Sequence, residues 1–253
     1  MIGKCEGIVV SEDSGVLRIQ LDRPEKKNAL TCEMYLAMAS ELQRANERDE
    51  IRAVLLYSAG DCFTSGNDLK DFLDTPPDGE KSAVMQFLFA LSRLEKPVIA
   101  MVSGFAVGIG VTLLLHCDLV YASEDAWFQL PFVNLGLCAE GASSYLLPRL
   151  TGRVRAAELL LLGEPFSAET AYSHGIVNRV WSRGELFAEV EEVLHKLVSK
   201  PAPAVNGTKK LLARGTDRAV QQSLVEEMEL FIRLLQTDTA RQILSDLLNR
   251  SEP

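Results

Sequence analysis

The chain has 253 residues, with 26 Lys and Arg against 35 Asp and Glu, and so a formal net charge of −9. Hydrophobic residues at 47% and charged residues at 24% are globular proportions and exclude a disordered chain. The acidic balance argues against nucleic acid as a partner, because phosphate binding needs a basic face, but it leaves room for a small anion held by local cations and helix N-termini.

The first stretch, MIGKCEGIVVSED, turns acidic too soon for a signal peptide. Gly7–Val10 and Val16–Leu21 read as strands around a Glu-Asp-Ser-Gly turn; in the second, Leu17, Ile19 and Leu21 alternate with Arg18 and Gln20. A polar loop, RPEKKNAL, follows. Thr31 then offers an N-cap to a helix whose apolar face is Met34, Met38, Leu42 and Ala45. Ala53–Tyr57 reads as a buried strand, Ser58–Asp71 as a glycine-containing loop, and Asp74–Glu80, with Pro76 and Pro77, as a stretch that cannot be regular helix.

A helix is expected from about Ser82 to Leu94. Lys96-Pro97 ends it before a strand, Val98–Val102. The eighteen uncharged residues from Val98 to Leu115 reach the lower length limit of a membrane span. Ser103, Gly104, Gly108 and Gly110 interrupt them, so a buried strand, a turn over Gly104–Gly110 and a helix to His116 fit better than a membrane segment. Leu119–Ala122 is a further strand. Strands alternating with helices predict an α/β fold with a largely parallel sheet. Residues 1–165 form this α/β part; from Ser167 to Asn249 the chain reads helix after helix.

Five cysteines, Cys5, Cys32, Cys62, Cys117 and Cys138, are widely spaced and odd in number, which suggests neither a zinc site nor a disulfide framework. A reducing, cytoplasmic setting is expected. The C-terminal NRSEP is no recognised address signal. His116, His174 and His195 lie on separate elements without metal-ligand spacing. The second glycine loop lacks the Lys-Ser/Thr of a P-loop, and Leu113 stands where a dinucleotide fingerprint needs its third glycine. Gly141-Ala-Ser-Ser-Tyr is no nucleophile elbow.

Two glycine loops and one carboxylate remain. Ser65-Gly66-Asn67-Asp68-Leu69 and Gly104–Gly110 each follow a buried strand, and side by side they could aim two backbone N–H groups at one oxyanion, although ordinary turns carry the same residues. Glu140 is the single charge between Leu130 and Pro148. Among Leu, Cys and Ala it would be desolvated and strengthened as a base; at a helix N-terminus the macrodipole would weaken it instead.

Together these stretches resemble the crotonase (enoyl-CoA hydratase/isomerase) superfamily, through RPEKKNALT, CFTSGNDLKDF, KPVIAMVSGFAVGIGVTLLLHCDLVYAS, PFVNLGLCAEGASSYLLPRLTG and LLLGEPFSAETAYSHGIVNRV, in that order. The resemblance covers nearly the whole chain. It implies a spiral of ββα units over residues 1–165 and a helical oligomerisation region over 166–253, assembled as a homotrimer or dimer of trimers. It implies an acyl-CoA thioester as substrate, with coenzyme A part of that substrate and no separate cofactor. The oxyanion donors fall on Asn67 and Ile109, flanked by Gly108 and Gly110. Ser65, Gly66, Asp68 and Leu69 fall at the adenine end, and Lys27 and Ala29 along the pantetheine and phosphates. Phe132, Leu135 and Leu137 would supply an apolar wall, a role that plain core packing would also explain.

The two glutamates of the family's hydratases fall here on Thr112 and Phe132, neither of which can activate water. Glu140, in an LGxxxEG segment, instead matches the single catalytic glutamate of peroxisomal-type Δ3,Δ2-enoyl-CoA isomerases. Other acyl-CoA chemistry on this fold, and noncatalytic members akin to the chromodomain Y-like proteins, share the branch.

Overall fold

The structure, a computed structural model, describes residues 5–251. Met1–Lys4, which open the stretch read above for a signal peptide, and Glu252–Pro253 of the C-terminal NRSEP, lie outside the described residues.

The chain opens with an antiparallel hairpin of β1 (Ile8–Asp13) and β2 (Val16–Leu21), turned by Ser14 and Gly15 at φ 51° and 81°. Two positive φ values in succession match the right-handed twist of the strands they join. Helix α1 (Cys32–Glu47) begins where the Thr31 side chain accepts the Met34 N–H, and it buries Met34, Met38, Leu42 and Ala45 as their spacing requires. Then come β3 (Ala53–Ser58), α2 (Leu69–Asp74), α3 (Ala83–Ser92), β4 (Val98–Val102), β5 (Phe105–Val107) and α4 (Ile109–Thr112), which tightens into a 3-10 turn over Leu113–His116. β6 (Leu119–Ser123), β7 (Trp127–Gln129), α5 (Ser143–Thr151), α6 (Arg153–Leu162), β8 (Phe166–Ser167), α7 (Ala168–Ser173) and β9 (Arg179–Trp181) follow. The chain ends in α8 (Arg183–Val198), α9 (Ala202–Ala213), α10 (Asp217–Leu235) and α11 (Asp238–Ser251).

One sheet runs β1-β2-β3-β4-β6-β9, parallel except for the hairpin; a second, β5-β7-β8, stands beside it. The alternation read in the sequence decides which side chain faces which layer. Val54 and Leu56 of β3 join the main core with Leu17, Ile19, Val98 and Ala100. Ala53 and Leu55 turn to the opposite face, where Ile99, Met101 and Tyr121 meet Leu186, Val190 and Leu194 of α8. Arg18, also on that face, makes a two-pronged bond to Glu191 of α8 at 2.5 and 2.9 Å. A parallel sheet buried on both faces accounts for the uninterrupted apolar strand Val98–Val102. Among the described residues no helix is long and apolar enough to cross a membrane.

Three expectations need correction. The loop expected over Ser58–Asp71 ends early, because Asp68 accepts the N–H groups of Lys70 and Asp71 and so starts α2 at Leu69. Gly104–Gly110 is more than a turn: Phe105–Val107 pairs with β7, in parallel. The helical last third carries two short strands. One of them, β9, extends the main sheet beside β6, and Asn178 stitches it there by accepting the Val120 N–H at 2.7 Å and donating its own N–H to the Val120 carbonyl at 2.8 Å. Strands of two and three residues are too short to display a period.

Gly104 holds the turn between the sheets at φ 65°, and a Cβ there would lie 1.7 Å from the Asp61 carbonyl oxygen. Gly104→Ala is therefore expected to cost more than about 2 kcal/mol in urea unfolding. A loss within about 0.5 kcal/mol, as for an unstrained surface change, would mean that the neighbouring loop yields freely.

Candidate active site

The two glycine loops do lie side by side, and Thr64 joins them. Its N–H donates to the Phe105 carbonyl at 3.0 Å, its own carbonyl accepts the Val107 N–H at 3.1 Å, and its hydroxyl donates to the Asn28 carbonyl at 2.7 Å. The same hydroxyl accepts the Gly66 N–H at 3.1 Å. Asn28, fully buried at φ 53°, anchors the KKNAL segment beneath: its side-chain amide donates to the Cys62 carbonyl at 2.6 Å and its side-chain oxygen accepts the Arg23 N–H at 2.7 Å. Gly110 must be glycine for this packing, since a Cβ would meet the Thr64 methyl at 2.5 Å.

This bracing leaves two donors free. Leu30 takes the carbonyl of Gly66 and gives its own carbonyl to the Asp68 N–H, bypassing Asn67. Gly108 at φ 56° turns the chain into α4, whose first residue is Ile109. The N–H groups of Asn67 and Ile109 make no hydrogen bond among the described residues. Both residues line one apolar cavity of about 200 Å³ with Phe132, Leu135, Leu137 and Phe231. Asn67 also borders a second cavity of about 300 Å³ between α1, α2 and α3, lined by Leu30, Tyr35, Phe72, Pro77 and Val84. The Tyr35 hydroxyl donates to the Asn67 side-chain oxygen at 2.5 Å and fixes its orientation.

Glu140 is 6% exposed. It stands three residues before the first residue of α5, yet its carboxylate does not cap that helix. Its backbone carbonyl takes the Ser143 hydroxyl at 2.6 Å, while Oε1 takes the Thr112 hydroxyl at 2.5 Å. Burial, opposed by that Thr112 bond and reinforced by the negative charge of Glu227, pushes its pKa up to about 8. Of the two opposed readings of this residue, desolvation prevails over the helix macrodipole. Glu140 also lies within electrostatic reach of Tyr35: after burial, its charge is the largest influence holding the Tyr35 phenol protonated. Gly141, at φ 70°, brings the segment against Thr112, where a Cβ would come within 2.7 Å of the hydroxyl. The His116 ring is kept neutral by burial, with its pKa pushed down to about 4, and its Nε2 bonds the Gly141 carbonyl at 2.8 Å.

Ser65, Gly66, Leu69, Gly108, Phe132 and Leu135 thus share a cavity with the two free N–H groups, and Gly110 packs behind them. Lys27 and Ala29 lie outside that cavity; the Lys27 carbonyl accepts the Ser65 N–H at 3.0 Å, and the Lys27 side chain is exposed beside the loop. Asp68 serves the fold, pairing with Arg23 at 2.6 Å while it caps α2. Sequence reasoning did not single out Tyr35, Asn28, Thr64 or Glu227. Asn28 carried the one usable signal, an asparagine within a Lys-Lys-Asn-Ala loop, since Asn tolerates a left-handed backbone.

The sequence profile described as "Enoyl-CoA hydratase/isomerase" matches residues 11–252. The chain belongs to the enoyl-CoA hydratase/isomerase, or crotonase, family. Human enoyl-CoA delta isomerase 2 is 38% identical over 216 residues, which are 83% of this chain and 55% of that protein. The crotonase-family chain therefore spans little more than half the length of that relative. The 1,2-epoxyphenylacetyl-CoA isomerase of Escherichia coli strain K12 is 36% identical over 203 residues, 78% of each chain. The crystal structure of an enoyl-CoA hydratase/isomerase from Pseudoalteromonas atlantica T6c superposes with a TM-score of 0.91 at 39% identity, covering 98% of this chain and 99% of its own.

Glu140 has a consequence for the stability of this family member. The folded state holds a proton that an unfolded Glu has already lost above its ordinary pKa of 4.5. Stability attributable to this group is therefore fully present below pH 4.5 and declines as pH rises toward about 8. Glu140→Gln keeps an acceptor for Thr112 and removes the titration. The variant is expected to exceed the wild type in urea stability at pH 9 by a few kcal/mol, on the order of the linkage energy, and by less at pH 5. An equal difference at both pH values would show that Glu140 ionises normally.

Proposed function

We propose that this chain isomerises 3-enoyl-CoA thioesters to 2-trans-enoyl-CoA, with Glu140 as the only base. The observation that carries the reading is the pairing of Glu140 with Thr112. Hydration needs two acids around the double bond, and the hydratase positions hold a hydroxyl and the ring of Phe132. A hydroxyl that donates to Glu140 steadies one carboxylate and adds no second base. A 1,3 proton shift needs one base only, because C2 and C4 belong to the same allylic system.

The thioester oxygen is received by the Asn67 and Ile109 N–H groups. Glu140 takes a proton from C2, and the electron pair moves through the carbonyl to give a dienolate. Donors waiting at the oxyanion position stabilise it without reorganising, an effect typically worth about 10² to 10³ per donor. The protonated Glu140 then returns the proton to C4 as the double bond settles between C2 and C3. Its raised pKa suits both halves, since a base near neutrality can take a proton and give it back. Phe132, Leu135 and Leu137 keep water from the dienolate, and the larger cavity beyond Tyr35 takes the acyl chain. The Ser65–Leu69 loop, with Lys27 and Ala29, carries the coenzyme A end. Residues 166–253 serve assembly into a homotrimer or dimer of trimers, and five free cysteines suit a reducing, cytoplasmic setting.

With 3-hexenoyl-CoA, conjugation followed by ultraviolet absorbance is expected to proceed with a kcat/KM that rises through about pH 8. Glu140→Gln is expected to lose about 10² to 10⁴ of that rate. Equal rates for wild type and variant would remove Glu140 from the chemistry. A flat trace from wild type that still binds acyl-CoA would replace isomerisation with another reaction of this fold or with binding alone.

A further inference from the structure

A second buried carboxylate stands behind the first. Glu227, on α10 in the helical C-terminal region, is 8% exposed. Its Oε1 accepts the backbone N–H of Ser144 at 2.9 Å and also the Ser144 hydroxyl. Its Oε2 is buried and takes no hydrogen bond among the described residues. The α5 N-terminus, which Glu140 leaves uncapped, is therefore capped from another helix. The residues between cap and base are under constraint: Gly141 and Ala142 both hold positive φ, 70° and 57°, and Ala142 has a side chain to accommodate there.

We infer that Glu227 is a positioning residue for Glu140: it pins the Gly141–Ser144 turn through the start of α5 and lays a second negative charge beside the base. The inference rests on the reading of Glu140 as the base, but the contact itself does not depend on turnover. A left-handed alanine persists only where its surroundings over-determine it. Glu227 supplies that constraint from α10, and His116 supplies it from the other side by holding the Gly141 carbonyl. Of the groups facing the two carboxylates, Thr112 donates to Glu140, Tyr35 and His116 are neutral, and Cys138 is a thiol held protonated first by burial and then by Glu227. Arg233 is the nearby cation that opposes this at Cys138. Glu227 is the negative group that acts on Glu140, so it keeps the base protonated to higher pH. It is itself held up by burial, against which the Ser144 hydroxyl and N–H work.

The test is an infrared titration of the protonated-carboxyl stretch in the 253-residue chain. The Glu140 band is identified by its loss in Glu140→Gln. In Glu227→Gln, which keeps the shape and one acceptor oxygen, the Glu140 midpoint is expected to move to lower pH by roughly one unit, the size of effect a neighbouring like charge exerts. Glu227→Ala removes the same charge and is expected to move the Glu140 midpoint in the same direction; this second variant decides the matter if the first does not fold. A merely structural cap would leave the Glu140 midpoint where it is, and an unmoved midpoint would overturn the inference. If the midpoint moves but wild type does not conjugate 3-hexenoyl-CoA, the coupling stands and the isomerase reading fails. If both hold, the acid limb of kcat/KM in Glu227→Gln shifts with the infrared midpoint.

Discussion

Two backbone N–H groups left without partners among the described residues, inside a braced scaffold, are the feature on which the rest of this molecule depends. An unpaired buried donor is costly, and a chain normally finds it a carbonyl. Here the neighbouring residues are paired so that Asn67 and Ile109 cannot be. Leu30 occupies both sides of Asn67, Thr64 locks the first loop to the strand Phe105–Val107, and Gly108 starts α4 at Ile109. Asn28 holds this arrangement from below in a left-handed conformation, and Gly110 permits the close contact with Thr64. The cost of the free donors is met by the folding of the whole α/β core, which places both residues at one apolar cavity, where the proposed reaction would bring an oxygen that acquires charge.

Glu140, the proposed base, is prepared by the opposite device. Glu140 is given fewer favourable contacts than an ionised carboxylate needs. One hydroxyl bonds it, burial penalises its charge, and Glu227 adds a like charge. The helix N-terminus that would have stabilised it lies three residues away and is capped by Glu227. A carboxylate handled in this way holds its proton near neutral pH, which is what the proposed shuttle between two carbons would require. Among the described residues, then, both N–H groups and carboxylate are set up by withholding interactions: the N–H groups are denied carbonyls, and the carboxylate is denied a cation and the helix N-terminus.

Local readings of the chain succeeded where a single physical period or a single strong residue decided the outcome. The alternation of Leu17, Ile19 and Leu21, the helical spacing of Met34, Met38 and Leu42, and the Pro76-Pro77 break all stand in the fold as read. The short strands β5, β8 and β9 were missed because their pairing comes from residues distant in sequence, and three residues have no period of their own. In the site, the two glycine loops and Glu140 were visible as residues. Their order along the chain also carried the family resemblance, which the profile match over residues 11–252 bears out.

By itself, then, the sequence determined the layering of sheet and helix, the buried strands and the short set of candidate site residues, because hydrophobic period, turn residues and lone charges are properties of local chain. Only the tertiary structure decided whether Glu140 would be weakened by a helix end or strengthened by burial. That depended on Thr112, 28 residues before it, and on Glu227, a helical residue far along the chain that takes the α5 N-terminus for itself. Desolvation and like-charge repulsion act through space, so the proton affinity of a side chain belongs to its surroundings and cannot be read from its neighbours in sequence.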